Sequence, residues 1–264
     1  MNDRRTDVND LTDHVCVVAG GGTGIGLAVA RSFAAAGGTT VAWDLTTPDE
    51  STADPGLSFD QVDVTDEAAV AAAVQRILGA NGRIDVLYNN AGILLPGTTG
   101  ASPETVDKVH LLSIDSLRRV LEVNVVGTFI TCRAVLPSMI ERHSGVIINT
   151  ASAAAHTAFP AQAAYTASKG GVMSLTRQMA IDYSPDGVRI CCISPGRIDT
   201  PMFQNLPLIA ADTGSIREQL AQGLPIGRLG RAEDVANMAT YLASPAASYI
   251  TGAIFNVDGG FTAR

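Results

Sequence analysis

Seven short apolar runs recur along this 264-residue chain, and helical patterns fill most of the gaps between them. The runs fall at 14–20, 39–44, 58–63, 83–88, 145–152, 188–194 and 253–257. They show little of the polar–apolar alternation of a half-buried strand, so both faces are expected to be covered. Helical patterns follow from Gly24 to about Ala36 and at 66–79, 116–142, 163–184 and 231–243. Asp66 stands where it can cap the second of these, and Pro137 is expected to kink or break the long 116–142 helix near its end. Strands that alternate with helices and are buried on both sides dictate a parallel sheet between two helical layers. The expected fold class is α/β, a single-domain Rossmann-type three-layer sandwich with a doubly wound parallel sheet. Ligands in such folds bind at the carboxyl ends of the strands.

Composition narrows the function. A 46% hydrophobic share and a mean hydropathy of +0.20 exclude disorder. No uninterrupted apolar stretch approaches the ~18 residues of a membrane span, and the polar stretch 1–11 reads as a tail without a secretory core. A net charge of -8 argues against a nucleic-acid partner. Cys16, Cys132, Cys191 and Cys192 lie in apolar segments without metal-ligand spacing, as expected of buried thiols in a cytoplasmic protein with no metal site. Cys191 and Cys192 should point to opposite faces of their strand. Of 18 basic residues only two are lysines, Lys108 and Lys169.

Three features carry chemistry. The first is AGGGTGIG at 19–26, between the first strand and first helix, with Gly20, Gly24 and Gly26 where a pyrophosphate could approach the helix N-terminus. The second is Asp44, at the end of the second strand, where a carboxylate accepts hydrogen bonds from an adenosine ribose diol and repels a 2′-phosphate. No Lys or Arg follows in LTTPDE, so NAD is favoured over NADP as cofactor. The third is Tyr165 and Lys169, four apart on one helix face. A phenol is a poor base at neutral pH, and an adjacent ammonium, together with a cationic oxidised nicotinamide, favours its ionised form. Tyr165 could then take a proton from an alcohol as hydride leaves carbon. Ser152, at the end of 145–152, can share the substrate oxygen. Asn124, flanked by valines in a helix, needs buried partners such as an ordered water leading to Lys169.

Together these residues resemble the short-chain dehydrogenase/reductase family from about residue 12 onward. The match rests on AGGGTGIG, DVTD (63–66), NNAG (89–92), Asn124, Ser152, YTASK, SPGRIDTP (194–201) and NVDGG (256–260). The resemblance implies Tyr165 as acid/base, Lys169 tuning it and holding the nicotinamide ribose, Ser152 on the substrate oxygen, and Asn124 in a proton relay. It further implies cofactor contacts from Thr23, Ile25, Asp63, Val64, Asn90, Ala91, Gly92, Pro195, Gly196, Ile198 and Thr200, and a homotetramer. The chain departs from the family at three places. Ala19 replaces a usual Thr, for which Thr23 is expected to compensate in part. Cys191 stands where an Asn is common. The 94–116 stretch is longer than usual and is expected to carry a short extra helix.

The leading expectation is an NAD-dependent oxidoreductase that interconverts a secondary alcohol and a ketone, with 197–223 as a lid. Candidate pocket residues are Ala153, Ala154, His156, Phe159, Met202, Phe203 and Leu206, with His156 at the rim. Their apolar character favours a compact hydrophobic small molecule over a sugar or a charged acid. The alternatives are an NADP-dependent ketoreductase, such as a 3-oxoacyl-carrier reductase, and a non-catalytic dinucleotide-binding regulator.

Overall fold

The computed structural model describes residues 9–46, 54–94, 108–206, 209 and 214–263. Seven strands, β1 (Val15–Ala19), β2 (Thr39–Asp44), β3 (Leu57–Gln61), β4 (Val86–Asn89), β5 (Gly145–Thr150), β6 (Val188–Pro195) and β7 (Ile254–Val257), form one sheet. Its order is β3-β2-β1-β4-β5-β6-β7, and every pairing is parallel. The chain order reverses between β1 and β4, and the resulting crevice opens at their carboxyl ends. The register sets Ala19 opposite both Trp43 and Asn89, so the residues that follow all three strands meet at one rim.

The helices are α1 (Gly24–Ala35), α2 (Glu67–Asn81), α3 (Ile114–Leu121), α4 (Gly127–Glu141), α5 (Ala163–Tyr183), α6 (Pro201–Gln204), α7 (Ser215–Gln222) and α8 (Ala232–Ala243). Asp66 caps α2 as expected, accepting from Ala68 N and Ala69 N. One sheet face packs Val17, Trp43, Leu87 and Ile147 against α2, α4 and α5. The other packs Val18, Tyr88, Ile148 and Ile193 against α1 and α8. Near-complete burial of β1, β4, β5 and β6 explains why their sequences lack alternation. Cys191 joins the α1/α8 face and Cys192 lies on the opposite side, as the two-residue strand period requires.

The long helix differs from expectation. It runs through Pro137 without a break, because the carbonyl Pro137 leaves unbonded belongs to Arg133, and both residues are exposed to solvent. Its irregularity lies instead at Glu122–Val126, a π-helical turn centred on Asn124. The run Ile114–Glu141 is long and apolar enough to cross a membrane by composition, yet half of its most apolar window is buried inside the domain. The polar tail is also shorter than expected, since Leu11 is fully buried against the α1/α8 core. Residues 1–8 and 95–107 lie outside the described residues, and with them most of the 94–116 stretch in which an extra helix was anticipated, while 108–113 form turns leading into α3.

Candidate active site

Two cavities share a wall at the carboxyl rim of the sheet. The first, about 290 Å³, runs from Asp44 and Asp63 past the glycine turn to Lys169. The glycines leave room that side chains would fill. A Cβ on Gly20 would lie 2.5 Å from Ala91 N, and one on Gly26 only 1.8 Å from Gly20 O. Gly20 N and Gly21 N donate to Trp43 O at 2.7 and 3.0 Å, and Asn90 Nδ2 donates to Gly20 O at 3.1 Å. The expected compensation by Thr23 does not occur. Thr23 sits at the N-cap of α1 without a side-chain capping bond, and the turn is steadied by Trp43 and Asn90 instead. The first N–H groups of α1 therefore keep no side-chain acceptor at a helix end that favours negative charge, which fits a pyrophosphate.

Asp44 turns back onto this loop. Its Oδ2 accepts from Gly22 N and its Oδ1 from Leu45 N, both at 2.8 Å. Asp63 accepts from Thr65 N and Thr65 Oγ1, bonds that hold its carboxyl below the ordinary carboxylate value, with the Arg119 charge adding to the effect. Gly20, Thr23, Gly24, Ile25, Asp44, Asp63, Val64, Asn90, Ala91, Gly92, Pro195 and Thr200 all line this cleft. Gly26 lies behind it and permits close packing, while Gly196 and Ile198 face the second cavity. Sequence reasoning missed Trp43, Leu45, Ile93, Arg119 and Thr150, which also line the cleft. Trp43 was in plain view, one residue before Asp44, whereas nothing in the sequence around Arg119 marks its approach from α3.

Lys169 is 3% exposed and donates from Nζ to Thr150 O at 2.8 Å. Burial pushes its ammonium from an ordinary 10.5 down to about 8. Its Nζ lies 5.8 Å from the centre of the Tyr165 ring. Burial raises the Tyr165 phenol above its ordinary value of 10, and a hydrogen bond with Ser152 acts in the opposite direction. The expectation gave Lys169 and an oxidised nicotinamide a joint effect on Tyr165, and burial of the phenol acts against the ionised form they would favour.

Asn124 is fully buried. Its Oδ1 accepts from Ile93 N at 2.7 Å, and its Nδ2 donates to Ile93 O and Ser168 Oγ, both at 3.0 Å. The Asn124 side chain thus has the buried partners that its position among valines requires. A Cβ on Gly92 would lie 3.2 Å from Asn124 Oδ1 and 3.3 Å from Lys169 Nζ, so Gly92, Asn124 and Lys169 form one packed cluster.

The second cavity, about 270 Å³, is lined by Ser152, Ala153, Ala154, Phe159, Tyr165, Met202, Phe203 and Leu206, all but one of the candidate pocket residues among them. His156 is not brought to it. The 3-10 turn Ala153–Ala155 ends at His156 and leaves that ring exposed to solvent. Gln162, Arg197, Leu220 and Phe261 line the cavity without having been anticipated. Among the described residues, no three His, Cys, Asp or Glu side chains gather as a metal site would require.

The family pattern described as Enoyl-(Acyl carrier protein) reductase matches residues 19–262. The chain is 40% identical over 258 residues to the 2-(R)-hydroxypropyl-CoM dehydrogenase of Xanthobacter autotrophicus, covering 94% of this chain and 98% of that one. It is 34% identical over 257 residues to a 3-oxoacyl-[acyl-carrier-protein] reductase of Thermotoga maritima, covering 95% and 98%. The ligand-free structure of an aldohexose dehydrogenase from Thermoplasma acidophilum superposes with a TM-score of 0.86 at 31% identity, covering 96% of each chain. The protein belongs to the short-chain dehydrogenase/reductase family. It is an oxidoreductase of that family, whose members bind a nicotinamide dinucleotide.

Proposed function

We propose that this protein is an NAD-dependent oxidoreductase interconverting a secondary alcohol and a ketone. The observation that carries this reading is the position of Tyr165, whose side chain borders both the cofactor cleft and the second cavity. A group at that wall can exchange a proton with a substrate on one side while Lys169 and the dinucleotide lie on the other. Ser152 holds the substrate oxygen and stabilises charge that develops on it. Lys169 is fixed by Thr150 O and, through the Gly92 cluster, by Asn124, and serves the nicotinamide ribose and the proton path. When bound, an oxidised nicotinamide supplies the hydride acceptor and a positive charge that favours the Tyr165 phenolate. Asp44, held at the glycine loop, receives the adenosine ribose diol, which favours NAD.

The walls of the second cavity call for a compact substrate with a largely apolar body, and the described residues of 197–223 that line it, among them Met202, Phe203 and Leu220, are proposed to act as its lid. We further propose a cytoplasmic homotetramer that acts on a small molecule, without a nucleic-acid or membrane partner. Phe129 and Ile181, exposed on α4 and α5, supply apolar surface suited to subunit contacts. A second reading, an NADP-dependent 3-oxoacyl-carrier reductase, draws on the Thermotoga maritima relative and on the Arg119 cation beside the cleft.

NADH and NADPH fluorescence titrations, followed by turnover of a panel of secondary alcohols, separate these readings. Preference for NADPH contradicts the role given to Asp44. The Tyr165→Phe variant is expected to lose turnover by about 10²- to 10⁴-fold, the ordinary range for an acid/base group. It should still bind NADH, and a fully active variant overturns the assignment.

A further inference from the structure

We infer that the substrate carries a second, uncharged oxygen function a few carbons from its carbinol carbon, and that the Gln162 side chain reads it. This deepens the oxidoreductase reading of the same cavity and rests on it. Among the described residues, the polar side chains that line the second cavity are Ser152, Gln162, Tyr165, Arg197 and Thr200. All but Gln162 are engaged within the protein. Ser152 Oγ accepts from Ala154 N at 3.2 Å and meets the Tyr165 hydroxyl. Thr200 Oγ1 accepts from Phe203 N and donates to Ile198 O, both at 3.4 Å. Arg197 donates to Leu220 O at 3.1 Å and lies over the Phe261 ring, 4.9 Å from its centre. Gln162 is the N-cap of α5, yet its side chain does not cap the helix, and its amide bonds to no described residue.

That amide stands beside the reacting group. Gln162 and Tyr165 are three apart at the start of α5, and Thr166 N donates to Gln162 O at 2.8 Å, which closes the turn between them. Side chains at this spacing are neighbours, with Cβ atoms roughly 5–6 Å apart. A phenol on the carbinol oxygen and an amide beside it therefore address two oxygens on one short chain. A primary amide both donates and accepts, so it pairs equally with a hydroxyl, a ketone or an ester. A wholly hydrocarbon body would displace water from Gln162 and leave the amide unpaired, which costs more than a net hydrogen bond contributes. The amide brings no charge with which to pair a carboxylate, and the Arg197 cation is turned to the Leu220 carbonyl and the Phe261 ring, so the oxygen read here is a neutral one.

The competing role for Gln162 is a solvated residue that starts α5 and is indifferent to the substrate. Calorimetric titration of the NADH-loaded protein separates the two roles without turnover, because reduced nicotinamide accepts no further hydride. The ligands are pentane-2,4-diol with 4-methylpentan-2-ol, and hexane-2,5-diol with 5-methylhexan-2-ol, pairs that exchange one hydroxyl for a methyl group, together with 3-hydroxybutanoate. The wild-type protein is expected to bind at least one diol about 2- to 10-fold more tightly than its hydrocarbon partner, the range of a net hydrogen bond. Gln162→Met should reverse that preference, and Gln162→Asn should keep part of it. The diol that shows the larger preference gives the spacing of the two oxygens. Tighter binding of both hydrocarbon partners by the wild type overturns the inference even if the variants fail to fold. So does a diol preference that survives in Gln162→Met, equal weakening of both members of a pair in that variant, or tighter binding of 3-hydroxybutanoate than of pentane-2,4-diol. Turnover of the same alcohols with NAD, measured separately, tests the oxidoreductase reading itself.

Discussion

The two cavities that meet at Tyr165 are built in opposite ways. The cofactor cleft is largely a backbone construction, with main-chain atoms of the glycine turn, the end of β2 and the end of β4 packed too closely for a Cβ to enter. The second cavity is a side-chain construction. Its walls come from segments as distant in sequence as Phe159, Arg197, Leu220 and Phe261, which meet through two rings and through a guanidinium that also reaches the Leu220 carbonyl. Backbone construction tolerates almost no substitution and fixes one ligand class. Side-chain construction leaves the fold intact when a wall changes, and so permits one scaffold to serve different substrates.

The largest effect expected from this contrast is at Gly26. A Cβ there meets the Gly20 carbonyl at 1.8 Å, and neither partner is a flexible side chain that can move aside. Gly26→Ala should therefore abolish NADH binding and lower the melting temperature, with a cost of at least the ~1–3 kcal/mol typical of overpacking. Fluorescence titration and thermal unfolding measure the two. Unchanged NADH affinity would mean that the turn has more freedom than its backbone contacts allow.

This division also explains what could be read from the sequence. Strand positions, the glycine turn, Asp44 and the Tyr165/Lys169 pair follow local rules of burial, turn geometry and helical spacing, and each lies where those rules put it. The π-helical turn at Asn124 was not legible, because a π turn differs from an α turn by one residue of hydrogen-bond register and leaves no compositional mark. His156 was misplaced because a 3-10 turn rotates it away from a cavity that its neighbours Ala153 and Ala154 line. Arg197 and Phe261 were invisible as wall residues. Their placement depends on the end of β6 and the C-terminal turn coming together, which no local pattern encodes.

At the junction of the two regions, Lys169 gives a smaller, pH-dependent effect. Its folded-state value of about 8 lies below the 10.5 of an ordinary lysine. Between those values the unfolded chain binds the extra proton, so this residue's contribution makes the protein more stable as pH rises through the window. Below about pH 8 the whole cost of burying the charge is present, on the order of 3 kcal/mol from the shift. Lys169→Met should lose activity and yet gain melting temperature relative to wild type near pH 7, less the loss of the bond to Thr150 O. That difference should shrink toward pH 10. A difference independent of pH, measured by thermal unfolding from pH 6.5 to 10 without cofactor, contradicts the buried-charge account.

The smallest effect, and the sharpest test of the two-way division, is expected at Phe261. Its ring makes the stacked contact with Phe159 and lies under the Arg197 guanidinium, and the C-terminal turn that carries it is fixed independently by Asp258. The Asp258 carboxylate accepts from Gly260 N and Thr262 N at 2.9 Å and from Thr262 Oγ1 at 2.6 Å. Phe261→Ala thus removes the ring while leaving the turn's anchors in place. An aromatic pair contributes ~0.5–1.5 kcal/mol beyond its burial and an exposed cation–π contact ~0.5–1 kcal/mol, so the domain should lose about 1–2 kcal/mol of stability, and substrate KM should rise as the wall loses its order. NADH affinity should stay within about twofold, because no atom of Phe261 borders the cofactor cleft. Equal losses at both ends would show that the side-chain wall supports the backbone cleft, and that the two regions are one unit.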